Sequence, residues 1–448
     1  MTPAARIAAT VDLLKDIEDR PRRPADATVN DFFRARRYIG SGDRRAVADR
    51  AFAIMRQRQR LDWHLNRSGM HSNPRALVIA HLALSEALSA DQVAALFPGG
   101  QYAATPMLAT EQRMLGKLAG RKLAHPDMPA EIRLNLPGWV IPGLQARFGD
   151  ALQEAASALD EPAPLDLRAN ILKTTREEAQ AALAAEGIEA EPTPLSPWGL
   201  RVSARRAVTA TKPFQDGRIE IQDEGSQLVA LLADARPGMR VLDWCAGAAG
   251  KTLAMAATMG NKGRISACDV NAPRLAGALK RLVRAGVDNA ETHLIEAGDR
   301  WAKRRAGTFD RVLVDAPCTG TGTWRRNPDA RTRMDSTDLR EITAKQSVIL
   351  QTAAGLVRPG GRLIYATCSL LPEEDEDQVH ALLARRAEFS IVPLASLWTA
   401  VRPGVPCPGE GPFLVLAPHS HGTDGFFCAV LERSQAPAEQ AADILQDP

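Results

Sequence analysis

The sequence predicts a multidomain protein in which a doubly wound α/β domain follows a small α+β module and an all-helical domain. Its 448 residues are too many for one ordinary hydrophobic core. Apolar residues recur at helical spacing through roughly the first 125 residues, whereas from residue 240 onward short apolar runs alternate with helical segments. We therefore expect domains over 1–128, 129–235 and 236–435, followed by a tail over 436–448.

The composition is that of an ordinary globular protein, with 45% hydrophobic and 24% charged residues. No apolar run approaches membrane-spanning length, and the first residues carry acids where a secretory signal would have none. These features predict a cytoplasmic protein that does not associate with membranes, and we expect a monomer. The six cysteines contain no CxxC pair, so we expect neither a disulfide framework nor a metal site.

The net charge of +3 conceals an asymmetry along the chain. Counted by segment, the charge is roughly +7 over 1–130, roughly +4 over 131–369 and roughly −8 over 370–448. Clusters of basic residues occur at 34–45 and at 303–305. A basic front two-thirds suits a polyanionic partner such as a nucleic acid, although solvated Arg-rich helices would give the same count.

The elements of the first two domains follow from hydrophobic spacing and from Pro and Gly breaks. Helices are predicted over 5–19, 43–65, 74–88 and 107–124. In the second domain we predict a strand over 164–172, a helix over 174–187 that starts at a Thr cap, and a strand over 200–204. We expect Arg168 and Asn170 to be exposed and available to a nucleic-acid backbone, with a plain surface role as the alternative.

The third domain alternates strand and helix in strict order. Strands are predicted over 240–244, 264–270 and 293–299, in the stretches that begin at 309 and 361, and over 388–394, 413–418 and 426–433. A helix is predicted over 338–357 and an acidic one over 374–386. This alternation is typical of a doubly wound parallel sheet. We interpret the acidic run at 373–376 as favouring the start of its own helix.

Two cysteines stand out because each follows a predicted strand. Cys318 and Cys368 lie where apolar runs end in small and turn-forming residues, and Asp315 precedes Cys318 by one turn. The carboxyl ends of strands in an open α/β sheet form the edge at which ligands bind. The two thiols are therefore expected to face one cleft. Arg325 and Arg326, which follow the glycine-rich loop after Cys318, are candidates for phosphate contacts.

The loop CAGAAGKT at 245–252 joins a strand to a helix. Its end matches a P-loop, but the first Gly of that motif falls on Cys245, so the match fails where the backbone must turn tightly. Asp269 ends the next strand, where a carboxylate can take both ribose hydroxyls, and Asp299 ends the third, where it could face an adenine. Without a P-loop or a dinucleotide pattern, the best fit is S-adenosylmethionine.

Several motifs also resemble those of one enzyme family. DWCAGAAGKT, CDVN, AGDRW, VLVDAPCTGTGTWRRNPD, YATCSLLPEE and DGFFCAVLER occur in order within 164–433 and resemble the motifs of the Sun/RsmB family of ribosomal RNA small-subunit (cytosine-5-)-methyltransferases. Residues 30–56 are similar to the NusB-like RNA-binding domain of that family. The resemblance implies a Rossmann-like methyltransferase domain that depends on S-adenosylmethionine, preceded by a small α+β RNA-binding module and an all-α NusB-like N-terminal domain.

The resemblance also assigns roles to residues. Cys368 would be the nucleophile, Asp315 would hold the base, Cys318 would act at release, and Lys251 would position cofactor or base. The residues assigned to cofactor binding are Cys245, Ala246, Gly247, Ala248, Ala249, Gly250, Lys251, Asp269, Arg274, Asp299 and Asp315. The family's loop usually reads CAAPGGKT, so Ala248 and Ala249 depart from it, and a methyl group at 249 would crowd the cofactor if that position needs φ > 0.

The implied reaction is methylation of carbon 5 of a cytidine in 16S ribosomal RNA, free or in a small-subunit assembly intermediate, through a covalent Cys–pyrimidine intermediate. One alternative keeps this chemistry but makes transfer RNA the substrate. Another is an RNA-binding ribosome assembly factor with weak or no catalysis, which the altered loop favours. A dithiol redox role for Cys318 and Cys368 is a third.

Overall fold

The computed structural model describes residues 1–202 and 207–435, which form two compact units. The first comprises 1–162 together with 324–336, and the second comprises the described parts of 163–323 and of 337–435. Residues 203 and 204 of the strand predicted over 200–204, and the predicted tail over 436–448, lie outside the described residues. The three predicted domain ranges remain predictions.

Residues 1–162 fold into helices. Their bounds are α1 Pro3–Glu18, α2 Ala25–Ala35, α3 Ser41–Arg56, α4 Arg58–Ser68, α5 Pro74–Leu84, α6 Ala90–Ala95, α7 Ala109–Leu118, α8 Ala130–Leu134, α9 Ile141–Phe148 and α10 Leu152–Asp160. Helix α5 is apolar on every side, and all residues from Ala76 to Leu84 are buried, so it occupies the centre of this core. It begins at Asn73, whose side chain accepts a hydrogen bond from the main-chain nitrogen of Ala76. The predicted all-helical front is confirmed.

The second unit begins with a small antiparallel sheet. Its strands are β1 Leu165–Ala169, β2 Ala190–Pro192, β3 Gly199–Val202 and β4 Ile219–Ile221, in the order β2-β3-β1-β4, with helices α11 Arg176–Ala185, α12 Lys212–Gln215 and α13 Glu224–Leu232. Thr175 and Glu178 form a capping box at the start of α11, as the sequence predicts. The leucine and valine side chains of β1 and β3 pack against α11.

A larger mixed sheet follows. Its strands are β5 Arg240–Asp243, β6 Arg264–Asp269, β7 Ala290–Leu294, β8 Phe309–Asp315, β9 Val357–Thr367, β10 Phe389–Ile391, β11 Leu414–Leu416 and β12 Phe426–Arg433. The helices are α14 Gly250–Thr258, α15 Ala272–Ala285, α16 Ala330–Arg333, α17 Ser336–Ala354, α18 Glu376–Leu383, α19 Leu394–Val401 and α20 Pro418–His421. Strands β5 to β9 are parallel, as predicted, whereas β12 runs antiparallel to its neighbours β9, β10 and β11.

The strand order β10-β12-β9-β8-β5-β6-β7 places β5 between β6 and β8. The chain moves outward to β6 and β7 on one side of β5, and to β8 and β9 on the other. Such a reversal opens a crevice at the carboxyl ends of the strands on both sides of it. The loops that follow β5, β6, β8 and β9 therefore meet at one edge.

The segment 324–336 belongs to the helical unit although it follows the Cys318 loop in the chain. Arg331 is 4% exposed, pairs with Asp160 at 2.5 Å and donates to the main-chain oxygen of Leu159 at 2.8 Å. A guanidinium buried in this way needs such partners. Among the described residues, every helix is too short or too polar to traverse a bilayer.

Candidate active site

Cys318 and Cys368 meet at the carboxyl edge of the larger sheet. Strand β8 pairs in parallel with β9, with Asp315 opposite Ala366, so the loops that follow the two strands are neighbours. The Sγ atoms are 3.4 Å apart. The expectation that both thiols face one cleft is confirmed, because both also line the same cavity. Their catalytic roles remain predictions.

The two sulfurs are not equivalent. The hydrogen bond to Cys368 and burial together raise the pKa of the Cys318 thiol well above its usual range. Cys318 therefore keeps its proton and can donate it to the sulfur of Cys368. Burial likewise raises the pKa of Cys245 and Cys268, which leaves these two thiols unreactive.

Lys251 and Asp315 form an ion pair beside the thiols. The Lys251 Nζ atom lies 2.7 Å from Asp315 Oδ2, and the two side chains are 8% and 33% exposed. Burial alone would lower the pKa of Lys251, but the charge and hydrogen bond of Asp315 outweigh it and raise that pKa. Lys251 is thus a permanent cation, and it holds one oxygen of the Asp315 carboxylate.

Asp269 organises the loop between β5 and α14. Its Oδ2 accepts a hydrogen bond from the nitrogen of Gly247, and its Oδ1 accepts one from the nitrogen of Asn271, both at 2.8 Å. Gly247 has φ of +54°, a conformation that L residues rarely adopt. The carboxylate thus closes the loop over the end of β6.

Ala249 also adopts a left-handed conformation, with φ of +62°. This confirms that the position needs φ > 0, and an alanine there is strained by about 1–2 kcal/mol. The methyl group of Ala249 is not positioned to crowd a cofactor in the cavity, because Ala249 is 0% exposed and is not part of the cavity wall.

The cavity at this edge has a volume of about 710 Å³. The predicted site residues that line it are Cys245, Ala246, Gly247, Ala248, Gly250, Lys251, Asp269, Arg274, Asp315, Cys318 and Cys368. Val270, 68% exposed, and Ile295 add apolar surface next to Asp269. A cavity of this size with a few polar groups is typical of a small-molecule site.

Asp243 also lines the cavity, and the sequence interpretation missed it. It ends β5 and is 1% exposed; its Oδ2 accepts a hydrogen bond from Thr252 Oγ1 at 2.6 Å. Burial raises the pKa of this carboxyl to about 7. Its Oδ1 is buried and has no hydrogen-bond partner among the described residues. Its place at a strand end, like those of Asp269 and Asp315, was the signal that could have identified it.

Asp299 is not among the residues that line the cavity. Strand β7 ends at Leu294, earlier than predicted, and Asp299 lies in the loop that follows. Its carboxylate accepts hydrogen bonds from the Trp301 nitrogen and pairs with His293 at 2.6 Å, and the residue is not part of the cavity wall. The prediction that Asp299 ends a strand is therefore wrong, and its contact with an adenine stays a prediction.

Arg168 and Asn170 are buried, so the expectation that they are exposed is wrong. Arg168 is 2% exposed and donates to Gln222 Oε1 at 2.6 Å and to the Gly250 oxygen at 2.8 Å. Asn170 is 3% exposed and donates to the main-chain oxygens of Gly217 and Ala285. Both side chains hold protein backbone, which leaves them unable to reach a nucleic acid.

Arg325 and Arg326 lie in the segment that belongs to the helical unit. Arg325 is 5% exposed and its main-chain oxygen accepts a hydrogen bond from Arg56, whereas Arg326 is half-buried. The prediction of phosphate contacts is corrected for Arg325, because its side chain is enclosed. It remains a prediction for Arg326.

The sequence matches two family models. The model described as 16S rRNA methyltransferase RsmB/F covers residues 230–432, and the model described as the ferredoxin-like domain of RsmF/B-like methyltransferases covers 136–209. The probable ribosomal RNA small subunit methyltransferase B of Synechocystis sp. is 33% identical over 67% of this chain and 67% of its own length. The corresponding enzyme of Pectobacterium carotovorum is 28% identical over 89% and 92%.

Solved structures are also similar to this chain. The crystal structure of PH0851 superposes with a TM-score of 0.77 at 26% identity, over 97% of this chain and 99% of that one. A methyltransferase homolog protein from Pyrococcus horikoshii superposes with a TM-score of 0.58 at 28% identity, over 68% and 97%.

Proposed function

The chain belongs to the RsmB/F family of ribosomal RNA small-subunit methyltransferases, which depend on S-adenosylmethionine, and we propose that it methylates carbon 5 of a cytidine in 16S ribosomal RNA. The choice of carbon 5 as the methylated atom rests on one observation. Two thiols lie 3.4 Å apart at the end of the cavity that holds Asp315 and Lys251. Carbon 5 of cytosine is too weak a nucleophile to be methylated directly, and covalent catalysis by a thiolate overcomes this.

S-Adenosylmethionine supplies an electrophilic methyl group when bound, and the cavity fits it. Asp269 stands at a strand end, where a carboxylate takes ribose hydroxyls, and Val270 and Ile295 offer apolar surface for the adenine. The partnerless Oδ1 of Asp243 is a natural acceptor for the methionine ammonium. These residues would hold the cofactor, and the carboxylates match its cationic groups in charge.

Cys368 is the nucleophile in this proposal. Its thiolate adds to carbon 6 of the cytosine, which breaks the 5,6 double bond and makes carbon 5 electron-rich. The Cys318 thiol supports this role, because it stays protonated and can donate to the Cys368 sulfur. The cytosine must leave its stack before Cys368 can reach it, at a cost of a few kcal/mol.

Asp315 and Lys251 handle the charge that develops on the ring. When the sulfur adds to carbon 6, the displaced electron pair moves toward nitrogen 3. Asp315 takes a proton from solvent and delivers it to nitrogen 3, and the Lys251 cation, 2.7 Å away, stabilises the carboxylate that remains. General acid help of this kind contributes about 10²–10⁴ in rate.

Cys318 acts in the last step. After methylation, carbon 5 loses its proton, the 5,6 double bond re-forms, and the Cys368 sulfur leaves with the electron pair of its bond to carbon 6. The carbon 5 proton passes to a solvent molecule, and the protonated Cys318 thiol, 3.4 Å away, donates a hydrogen bond to the departing Cys368 sulfur. Enzyme and methylated RNA then separate.

The helical unit is proposed to bind RNA as a NusB-like domain. Tyr38 and Tyr102 are 77% and 75% exposed, and exposed aromatic rings can stack on unpaired bases. A groove lined by Arg34, Arg37 and Arg44 lies on the same unit and can hold phosphate groups. Both features suit an RNA whose target base is unpaired.

Trapping with 5-fluorocytidine tests the mechanism. Fluorine at carbon 5 blocks the final proton loss, so 16S transcripts that contain it should form an adduct with the protein that survives denaturing electrophoresis. Cys368→Ala should abolish the adduct. Cys407→Ala is the matched control, because this half-buried thiol is not part of the cavity wall. An adduct that persists in Cys368→Ala would refute the proposal.

Bisulfite mapping tests the substrate. In cells that lack the protein, one cytidine of 16S ribosomal RNA should lose its resistance to bisulfite, and expression of the protein should restore it. Transfer RNA from the same cells is the control. A change confined to transfer RNA would make that RNA the substrate and overturn the choice of 16S.

A further inference from the structure

Glu374 is a buried carboxylate that the proposed chemistry does not use. It is 0% exposed, and it accepts hydrogen bonds from the nitrogen of Thr319 at 2.8 Å, from Ser369 Oγ at 2.5 Å and from Gln346 Nε2 at 3.1 Å. The Thr319 hydroxyl donates to it as well. A carboxylate removed from water needs such donors to offset the loss of hydration.

The donors come from the two loops that carry the cysteines. Thr319 directly follows Cys318, and Ser369 directly follows Cys368. Consecutive Cα atoms are about 3.8 Å apart, so a residue bonded to Glu374 restricts the neighbouring cysteine closely. One carboxylate therefore ties together the backbones beside both sulfurs.

The neighbouring residues reinforce this arrangement. Thr367, on the other side of Cys368, donates from Oγ1 to Asp375 Oδ1 at 2.5 Å, so both residues that flank Cys368 are bonded to consecutive acids. The hydroxyl of the fully buried Tyr365 donates to the main-chain oxygen of Glu374 at 2.6 Å. The acid that ties the loops is thereby held by the sheet itself.

The acidic run starts its own helix, as the sequence predicts, because Glu376 lies in the first turn of α18. Glu374 has a second role. Helix α18 begins at Glu376, and Glu374 lies two residues earlier, with its side chain buried. Burial raises the pKa of the Glu374 carboxyl, and the hydrogen bonds from Ser369, Thr319 and Gln346 oppose that rise. An acid that served only the helix dipole would stay in water.

We infer that Glu374 is a positioning residue whose carboxylate holds Cys318 and Cys368 within reach of each other by binding Thr319 and Ser369. The inference rests on the proposed function for its purpose, because only a reaction that uses both sulfurs on one base needs them this close. Its geometry does not depend on that function. Glu374 touches neither sulfur in this assignment and acts through the loops.

Oxidative cross-linking measures this positioning without RNA or cofactor. Diamide takes two electrons and two protons from a pair of thiols, which form a disulfide, and is reduced to the hydrazine. In the full-length protein with the other four cysteines replaced by serine or alanine, Cys318 and Cys368 should cross-link rapidly. Glu374→Ala should slow the reaction about tenfold or more, since misplacement by about 1 Å can cost 10²-fold in rate.

Matched variants separate positioning from general damage. Glu374→Gln keeps the shape of the side chain and can accept from the Thr319 nitrogen while the hydroxyls of Thr319 and Ser369 rotate, so it should restore most of the cross-linking rate. Asp377→Ala, at an exposed acid directly after the run, should leave the rate unchanged. A folded Glu374→Ala that cross-links as fast as the parent would overturn the inference.

If Glu374→Ala does not fold, Ser369→Ala replaces it. This variant removes one hydrogen-bond donor and keeps the Glu374 carboxylate. It should slow cross-linking several-fold, and urea unfolding should show that the protein is folded. An unchanged cross-linking rate would again overturn the inference. Adduct formation with 5-fluorocytidine RNA is measured in parallel. If no protein forms the adduct, the parent included, while the parent cross-links normally, the proposed function is refuted. The positioning role of Glu374 is then unaffected.

Discussion

Arg168 on β1 donates a hydrogen bond to the main-chain oxygen of Gly250 at the start of α14, 2.8 Å away. The small sheet that precedes β5 therefore helps to hold the loop that lines the cavity. Burial lowers the pKa of Arg168 to about 10, so the side chain is charged at neutral pH, and Glu220, 2% exposed, lies close enough to raise that pKa in part. A residue expected to contact RNA instead supports the loop that lines the cavity.

Replacement of Arg168 by methionine should weaken cofactor binding and leave RNA binding unchanged. The oxygens of Gly250 and Gln222 would lose a charged donor, which costs about 1–3 kcal/mol for each buried group left unsatisfied. We expect the affinity for S-adenosylmethionine to fall about tenfold, which corresponds to about 1.4 kcal/mol. Titration calorimetry measures it. Arg218→Met, at an exposed position of the same module, is the control, and weaker RNA binding by Arg168→Met alone would contradict this assignment.

Replacement of Cys318 by alanine should trap the enzyme on ordinary RNA. In the proposed mechanism the addition of Cys368 to carbon 6 does not need Cys318, whereas release does, so a covalent complex should accumulate when RNA and S-adenosylmethionine are present. Denaturing electrophoresis with labelled RNA detects it. The double variant Cys318→Ala with Cys368→Ala should form none. Normal turnover by Cys318→Ala would remove its role in release.

Gly247 and Gly250 should respond in opposite ways to a methyl group. A Cβ at Gly247 would meet no atom within 4 Å, but its φ of +54° is unfavourable for alanine, so Gly247→Ala should lower the free energy of unfolding by about 1–2 kcal/mol. Gly250 lies in the first turn of α14, where a Cβ would meet Gln222 Nε2 at an ordinary 3.7 Å. Gly250→Ala should therefore not destabilise the protein. Urea unfolding compares the two, and equal losses would show that space rather than backbone conformation decides.

Asp243 should make stability depend on pH. Its folded-state pKa of about 7 lies above the unfolded value of about 3.9, so between these values the folded protein binds more protons than the unfolded chain. The contribution of Asp243 to the free energy of unfolding is therefore fully present below about pH 4. It is lost as the pH rises to about 7, by about 1.4 kcal/mol per pH unit within that window. Asp243→Asn should remove this part of the pH dependence. Urea unfolding of the cofactor-free protein at pH 5.5 and pH 8 tests it, and identical pH dependence in both proteins would contradict the assignment.

The parallel sheet and most of its cavity residues were predictable because both leave local signals. Apolar runs with period two or with no polar break mark β5, β6, β8 and β9, and polar residues at or just after the ends of these runs mark the edge of the sheet that holds the cavity. Asp269, Asp315, Cys318 and Cys368 were found in this way. Asp243 also ends an apolar run, but the interpretation assigned the site to the loop after it and not to Asp243 itself.

The misplaced residues share another cause. Arg168, Arg325 and Glu374 are charged, and charge alone suggests exposure, because such residues are rarely buried without partners. Their partners lie far away in the chain, for example Gly250 for Arg168 and Thr319 for Glu374. The predicted strand end at Asp299 was wrong for a different reason, because β7 ends five residues before it and Asp299 lies in the following loop beside His293.

The amino-acid sequence alone determined the order of strands and helices and which side chains stand at strand ends, because these depend on neighbours a few residues apart. Only the tertiary structure decided which charges are buried and which loops they join, because burial and hydrogen bonding depend on groups that the chain brings together over tens or hundreds of residues. The distance of 3.4 Å between Cys318 and Cys368, and the carboxylate of Glu374 that ties their loops, belong to this second kind.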